Sequence, residues 1–264
     1  MTDPDLSAYR GQHAAIQEEF KKQAPQWQQH ENSPHLRWVI EHLDLQPHFE
    51  VLDVAAGTGI LSRALATHVQ RVVALDLTPE MLAQGQREAD HSSLNNIRFE
   101  QGAAEKLPYP AESFDMVATR FSIHHFQSPN AVLQEMARVC RPNGQLVVID
   151  LVSPEDSKLA TRYNNLERLR DSSHTWALSA SGLRRAVAGL GLEIVAEYVR
   201  EVEMHAANWL DFTRTEPGPR QSILNAWHGE LQGLGQTGFQ PFLREGQLMF
   251  LHHWGVVVGK KAEA

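Results

Sequence analysis

The chain has 264 residues, 42% hydrophobic and 21% charged, which suits a soluble globular protein of one large α/β domain or two small ones. Its net charge is −8 and its 24 basic residues are scattered, which excludes nucleic acid as an expected partner, because neutralising a run of phosphates takes a clustered surplus of Lys and Arg. No apolar run nears eighteen residues, so no membrane span is expected. The opening Met1-Thr2-Asp3-Pro4-Asp5 lacks the features of a secretory leader, and Cys140 has no second cysteine to pair with, so a cytoplasmic location is expected.

In chain order, residues 1–32 read as a helical N-terminal arm. Leu36, Val39, Ile40 and Leu43 recur at i, i+3, i+4 and i+7, the stripe of an amphipathic helix. Short apolar runs at 50–54, 71–75, 114–119 and 145–151 read as buried strands, being brief, β-branched and bounded by turn residues. Between them, Pro79 suits the first turn of a helix over 79–89 with Thr78 as its cap, and Leu133, Met136, Ala137 and Cys140 form a second helical stripe. Farther on, 155–178 is polar and helix-prone, 192–202 is strand-like, 206–232 is amphipathic, and 247–259 is a last apolar run. This alternation predicts a single α/β domain: a Rossmann-like, doubly wound sheet of mostly parallel strands, with an antiparallel C-terminal strand and a helical lid. A ligand-binding core is expected over 45–153, and lid elements over 155–178 and 204–245.

The segment that points to chemistry is Glu50-Val51-Leu52-Asp53-Val54-Ala55-Ala56-Gly57-Thr58-Gly59. A buried strand runs into small residues and then a helix from Ile60, a turn that lets a ligand lie against backbone and meet free N–H groups. Asp76 ends the second strand, where a carboxylate can accept both hydroxyls of a ribose. The dinucleotide pattern fails because Ser62 stands at its third glycine position, and no phosphate-binding G-x-x-x-x-G-K-[ST] occurs. Asp53 would repel a pyrophosphate but suit an ammonium. A ligand with ribose, carboxylate and ammonium is S-adenosylmethionine.

At this point the chain resembles class I S-adenosylmethionine-dependent methyltransferases, in the ubiquinone/menaquinone-biosynthesis-like branch. The resemblance starts at Val51 and continues through Val72-Val73-Ala74-Leu75-Asp76-Leu77-Thr78-Pro79-Glu80-Met81-Leu82. It resumes at Gln101-Gly102-Ala103-Ala104-Glu105-Lys106-Leu107-Pro108, Ser113-Phe114-Asp115 and Arg138-Val139-Cys140-Arg141-Pro142-Asn143-Gly144, covering about 45–153. It implies that Asp53 and the backbone of Ala55, Gly57, Thr58 and Gly59 hold the methionine part, and that Asp76 holds the ribose. It also implies that Leu77 and Met81 flank the adenine, that Gly102, Ala103 and Ala104 run along its edge, and that Arg120 and Phe121 line the floor near the sulfonium. Relatives often carry Asp where this chain has Ala103, so Glu105 or backbone must take over that contact. Residues 20–27 resemble a segment that closes over the cofactor, with Trp27 in the closing position.

After the strand at 114–119 come Phe121-Ser122-Ile123-His124-His125-Phe126, which in relatives borders the acceptor. His124 or His125 is a candidate general base, and His174, beside Trp176 in the insertion, is a further candidate. Tyr163, Arg170 and Asp171 share that insertion. No metal is expected: His124-His125 and His252-His253 are doublets whose members point to opposite faces on a strand, and one cysteine makes no thiolate cluster. The expected activity is methyl transfer to an O, N, S or C atom of a small molecule. Carbon methylation of a quinone ring is the alternative within that class, and a non-catalytic cofactor-binding scaffold the alternative outside it.

Overall fold

The computed structural model describes residues 6–23 and 34–263. Its centre is an eight-stranded sheet: β1 (Glu50–Val54), β2 (Arg71–Asp76), β3 (Ile97–Gln101), β4 (Phe114–Arg120), β5 (Cys140–Leu151), β6 (Glu193–His205), β7 (Phe242–Arg244) and β8 (Gln247–Lys260). The order is β3-β2-β1-β4-β5-β8-β6, with β7 also on β8. Strands β3, β2, β1, β4 and β5 pair in parallel, whereas β8 runs antiparallel to β5, β6 and β7. The expected class, a mostly parallel sheet with one antiparallel C-terminal strand, is therefore the observed one.

Side-chain alternation divides the core. Leu52 and Val54 of β1 face the layer that holds Leu133 and Met136 of α5 (Pro129–Val139) and Leu183 and Val187 of α7 (Ala180–Ala188). Val51 faces the other layer, with Leu36 and Val39 of α2 (Pro34–Glu41) and Leu61 and Leu65 of α3 (Ile60–Ala66). Asp53 shares Val51's parity and so lies under α3. The segments expected as lid elements build a third, aromatic core. In it Tyr163 of α6 (Ser157–Arg170), Trp209 of α8 (Ala206–Phe212) and Trp227 of α9 (Pro217–Leu231) pack with Phe239 and Phe250. The Tyr163 and Phe239 rings stack at 4.4 Å, and Trp209 meets Phe250 edge-on at 5.0 Å.

Two expectations shift. The helical stripe ending on Cys140 breaks at Val139, and β5 starts at Cys140 rather than 145, because Pro142 has no N–H for a further helical turn. Cys140 stays fully buried, now pairing with Phe114. Gly144 completes that turn where a Cβ would stand 2.8 Å from two carbonyl oxygens, those of Arg141 and Asp115. The second difference is β3, which the apolar-run criterion passes over: it is an edge strand, and Ile97 is its one fully buried residue.

Helix α4 (Pro79–His91) seats itself against the 55–59 loop through Gly85, where a Cβ would lie 2.5 Å from the Phe99 ring and 2.6 Å from the Thr58 carbonyl oxygen. A backbone oxygen cannot swing aside. Gly85→Ala is therefore expected to destabilise the protein by about 2 kcal/mol and lower its melting midpoint by roughly 4–8 °C, read by thermal unfolding.

Candidate active site

The strand order reverses between β1 and β4, and at such a switch point a crevice opens beyond the carboxyl ends of the strands. A cleft of about 770 Å³, including its mouth, lies there, under α1 (Arg10–Gln23). Its base is the loop after β1, where Ala55, Gly57 and Gly59 all take left-handed backbone (φ 54°, 57° and 71°). At Gly59 a Cβ would stand 2.8 Å from the Phe99 ring, so this turn needs glycine on both grounds.

Asp76 lines the cleft and braces this loop. Its Oδ2 accepts a hydrogen bond from the Gly57 N–H at 2.7 Å and its Oδ1 accepts from the Thr78 N–H at 2.8 Å. Burial raises the Asp76 pKa, and these backbone donors pull the other way. Asp53 sits behind the wall, 1% exposed, where Oδ2 accepts from the Ser62 hydroxyl at 2.6 Å and Oδ1 has no hydrogen-bond partner. Burial pushes its pKa up to about 7, against the lowering pull of Ser62 and of the Arg120 charge. Arg120 is on the wall, its guanidinium 4.3 Å from the centre of the Phe121 ring, and burial lowers its pKa to about 10. Asp76→Asn is expected to weaken binding of a ribose-bearing ligand by about 1–3 kcal/mol, since one charge-assisted acceptor is lost; calorimetry reads it directly.

Ala55, Gly57, Thr58, Leu77, Met81, Gly102, Ala103, Ala104, Phe121 and His125 also line the cleft; Asp53, Gly59, His124 and His174 do not. Trp27 lies outside the described residues. Glu105 lines the cleft beside Ala103, with Oε1 lacking a hydrogen-bond partner and Oε2 3.2 Å from His13 Nε2. The arm expected to close over the site through residues 20–27 covers it from earlier turns as well. His13, Ile16 and Phe20 of α1 line the cleft, a spacing of i, i+3, i+7 that periodicity alone could have flagged. The Gln17 side-chain amide donates to the Leu77 carbonyl at 2.9 Å, the Gln12 amide donates to the His125 carbonyl, and Lys21 pairs with Glu80 at 3.1 Å.

At the far end the chain leaves β4 through Phe121 (φ 53°) into a short 3₁₀ turn, Ile123–His125. The turn sends the two histidines to different places. His124 is buried, with its Nδ1 2.5 Å from Asp150 Oδ1 and its backbone N–H donating to Oδ2 at 3.0 Å. Burial opposes its charged form, but the Asp150 charge and hydrogen bond outweigh it and the pKa is raised. His125 reaches the cleft, Phe20 edge-on to its ring at 5.1 Å, and its Nδ1 lies 3.0 Å from Ser173 Oγ. Burial and the neighbouring His124 hold its pKa below the ordinary histidine value.

His174 lies behind His124, ring centres 5.2 Å apart, its Nε2 2.7 Å from the Asn164 Oδ1. Its pKa is lowered, chiefly by burial. Trp176 is 39% exposed near Arg168, Tyr163 belongs to the aromatic core, and Arg170 pairs with Glu167 at 3.1 Å. The second doublet splits as well: His252 faces buried Glu167 at 3.3 Å and His253 faces Glu201 at 3.5 Å.

Residues 52–148, from β1 into β5, match a family model described as a methyltransferase domain. The chain is 36% identical over 143 residues to the uncharacterized methyltransferase YcgJ of Bacillus subtilis (strain 168), covering 54% of this chain and 56% of that protein. It is also 36% identical over 132 residues to the ubiquinone/menaquinone biosynthesis C-methyltransferase UbiE of Ectopseudomonas mendocina (strain ymp), covering 48% and 52%. The chain thus spans about half the length of these curated relatives. Among solved structures, a putative methyltransferase (BH2331) from Bacillus halodurans C-125 superposes with a TM-score of 0.79 at 26% identity, covering 87% of this chain and 100% of that one. Sequence match, strand order and cleft position agree: residues 52–148 carry a methyltransferase domain, set in a fold similar to that of the methyltransferase structures it superposes on.

Proposed function

We propose that this protein moves a methyl group from S-adenosylmethionine to a small-molecule acceptor, with His125 as general base. The observation that supports this most is the convergence of Asp76, residues 102–104, Arg120 and His125, from different strand ends, on one cleft. One orphaned atom fits the cofactor: Asp53 lies behind the cleft wall and does not line it, but its Oδ1 has no hydrogen-bond partner, and an ammonium would supply one. In this reading Asp76 takes the ribose hydroxyls, Leu77 and Met81 hold the adenine, and Gly102, Ala103 and Ala104 run along its edge, with Glu105 Oε1 as the acceptor that Ala103 lacks. The backbone of Ala55, Gly57, Thr58 and Gly59 follows the methionine part, and Arg120 and Phe121 form the floor. Bound there, S-adenosylmethionine supplies an electrophilic methyl group, so the protein's tasks are alignment and exclusion of water.

His125 takes the acceptor's proton, while His124, paired with Asp150, and His174, tilted against it, support the 3₁₀ turn. The acceptor is a small molecule, in keeping with an acidic chain and a cleft roofed by α1. A cytoplasmic location accompanies this reading; no helix among the described residues is long and apolar enough to cross a membrane. The identity to UbiE proteins favours a second reading, carbon methylation of a quinone ring.

Titration calorimetry with S-adenosylmethionine, S-adenosylhomocysteine and NADH tests the cofactor. Binding of both sulfur ligands with NADH silent is expected; silence from both would remove the methyltransferase reading. An acceptor panel containing hydroxylated aromatics, amines, thiols and a reduced quinone then separates the two readings. Cofactor binding with no turnover on that panel would favour the scaffold.

A further inference from the structure

The geometry points to Ser173 and Asp171 as a positioning pair that holds the His125 ring in its Nδ1–H form and leaves Nε2 as the proton acceptor. The role of this pair rests on the methyltransferase reading; its geometry does not. Asp171 is 3% exposed, and its Oδ1 accepts twice from Ser173, from the hydroxyl at 2.5 Å and from the backbone N–H at 2.9 Å. Burial works to raise the Asp171 pKa, but the Arg170 charge and the Ser173 hydrogen bonds pull the other way and the pKa is lowered; two Ser173 donors converging on Oδ1 suit a carboxylate.

A serine hydroxyl has one proton to give. Here that proton is committed to Asp171, so toward His125 Nδ1, 3.0 Å away, the oxygen can only accept. Nδ1 must then carry the N–H. A neutral imidazole has a single N–H, which leaves Nε2 with a free lone pair. Nε2 takes no part in the Ser173 hydroxyl contact, and His125 lines the cleft. Imidazole in water prefers the opposite arrangement, so the wall imposes the less common tautomer.

The ring is gripped from every side. His124 with its Asp150 lies beside it at 4.1 Å between ring centres, Asp171 lies beyond Ser173, and the uncharged Phe20 and Gln12 of α1 press from above. When the acceptor's X–H bond breaks, its proton forms the Nε2–H bond. The resulting imidazolium donates Nδ1–H to Ser173, whose hydroxyl passes the stabilisation on to the Asp171 carboxylate. The insertion at 155–178 thereby gains a task without lining the cleft: it supplies the two residues that orient the base. The arrangement suits an acceptor that must shed a proton, such as a hydroxyl or thiol.

The test is nitrogen-15 NMR of the full chain labelled on histidine, with and without S-adenosylhomocysteine, assigning His125 by the signals lost in His125→Gln. Two-bond nitrogen–proton correlations distinguish the two tautomers. In the unsubstituted protein His125 is expected as Nδ1–H; in Ser173→Ala it should move to Nε2–H, and in Ser173→Thr, which keeps the hydroxyl, it should remain Nδ1–H. Affinity for S-adenosylhomocysteine should change less than twofold in both variants. An Nε2–H ring in the unsubstituted protein, or an unmoved Nδ1–H ring in Ser173→Ala, overturns the pair. An Nδ1–H ring that responds as expected in a protein that binds no S-adenosylhomocysteine would uphold the pair and overturn the methyltransferase reading instead.

Discussion

Asp53→Asn is expected to lower the affinity for S-adenosylmethionine by about 30–150-fold, because it removes a buried charge-assisted hydrogen bond worth roughly 2–3 kcal/mol. The pH dependence of binding is the sharper signature. With its pKa pushed up to about 7, Asp53 is partly protonated in the ligand-free protein near neutral pH. An ammonium beside it lowers that pKa, so binding releases a proton and affinity rises as pH climbs toward 7. Above about 7.7–8.0 the ligand's own α-amino group starts to lose its proton and the affinity turns down. The acid limb should vanish in Asp53→Asn. Calorimetry in buffers of different ionisation enthalpy measures the proton release, and a wild-type pH profile in the variant would remove Asp53 from the site. The sign for folding is opposite: a carboxyl whose folded pKa is raised makes the ligand-free protein less stable as pH rises from about 4 through 7.

His125→Gln should reduce turnover on the identified acceptor by about 10²–10⁴-fold while cofactor affinity stays within a factor of about two. Glutamine retains a polar side chain of similar reach but cannot take a proton. Since burial and His124 hold the His125 pKa below the ordinary histidine value, the base is neutral well into the acidic range. The turnover rate should therefore be flat across pH 6.5–8 and fall only at lower pH. A profile with a midpoint near 6.5 or above would point to His124 or to the acceptor itself. Equal losses in kcat and in cofactor binding would mean that His125 shapes the cleft instead of serving as base.

The loop side of the cleft was legible because it is local. Asp53 stands one residue before the end of β1 and Asp76 ends β2, both buried strands that announce themselves as short β-branched runs, and the loop between β1 and α3 is marked by residues that tolerate left-handed backbone. Strand β3 was not legible, because an edge strand leaves most of its side chains in solvent and shows no continuous apolar run. Cys140 misled for a related reason: it is buried whether it ends a helix or begins a strand, so the hydrophobic stripe does not register the boundary that Pro142 imposes.

The acceptor half shows the limit of a pattern. His124, His125 and His174 are equivalent candidates in the sequence, since each stands in a loop near a strand or helix end. Their separation depends on a 3₁₀ turn, and on partners far along the chain: Asp150 for His124, Ser173 for His125 and Asn164 for His174. The Gln12 amide on the His125 carbonyl spans more than a hundred residues, and no local periodicity encodes such a contact.

By itself the sequence determined most of the strand–helix order, the glycine-bearing loop after β1 and the two acids near it, since each follows from short-range pattern: alternation of side chains, glycine at left-handed turns, a charge at a strand end. Only the tertiary structure decided which histidine meets the cleft and which turns of the N-terminal arm cover it. Those are properties of side-chain direction and of desolvation, and both are set by what packs against a residue from distant parts of the chain.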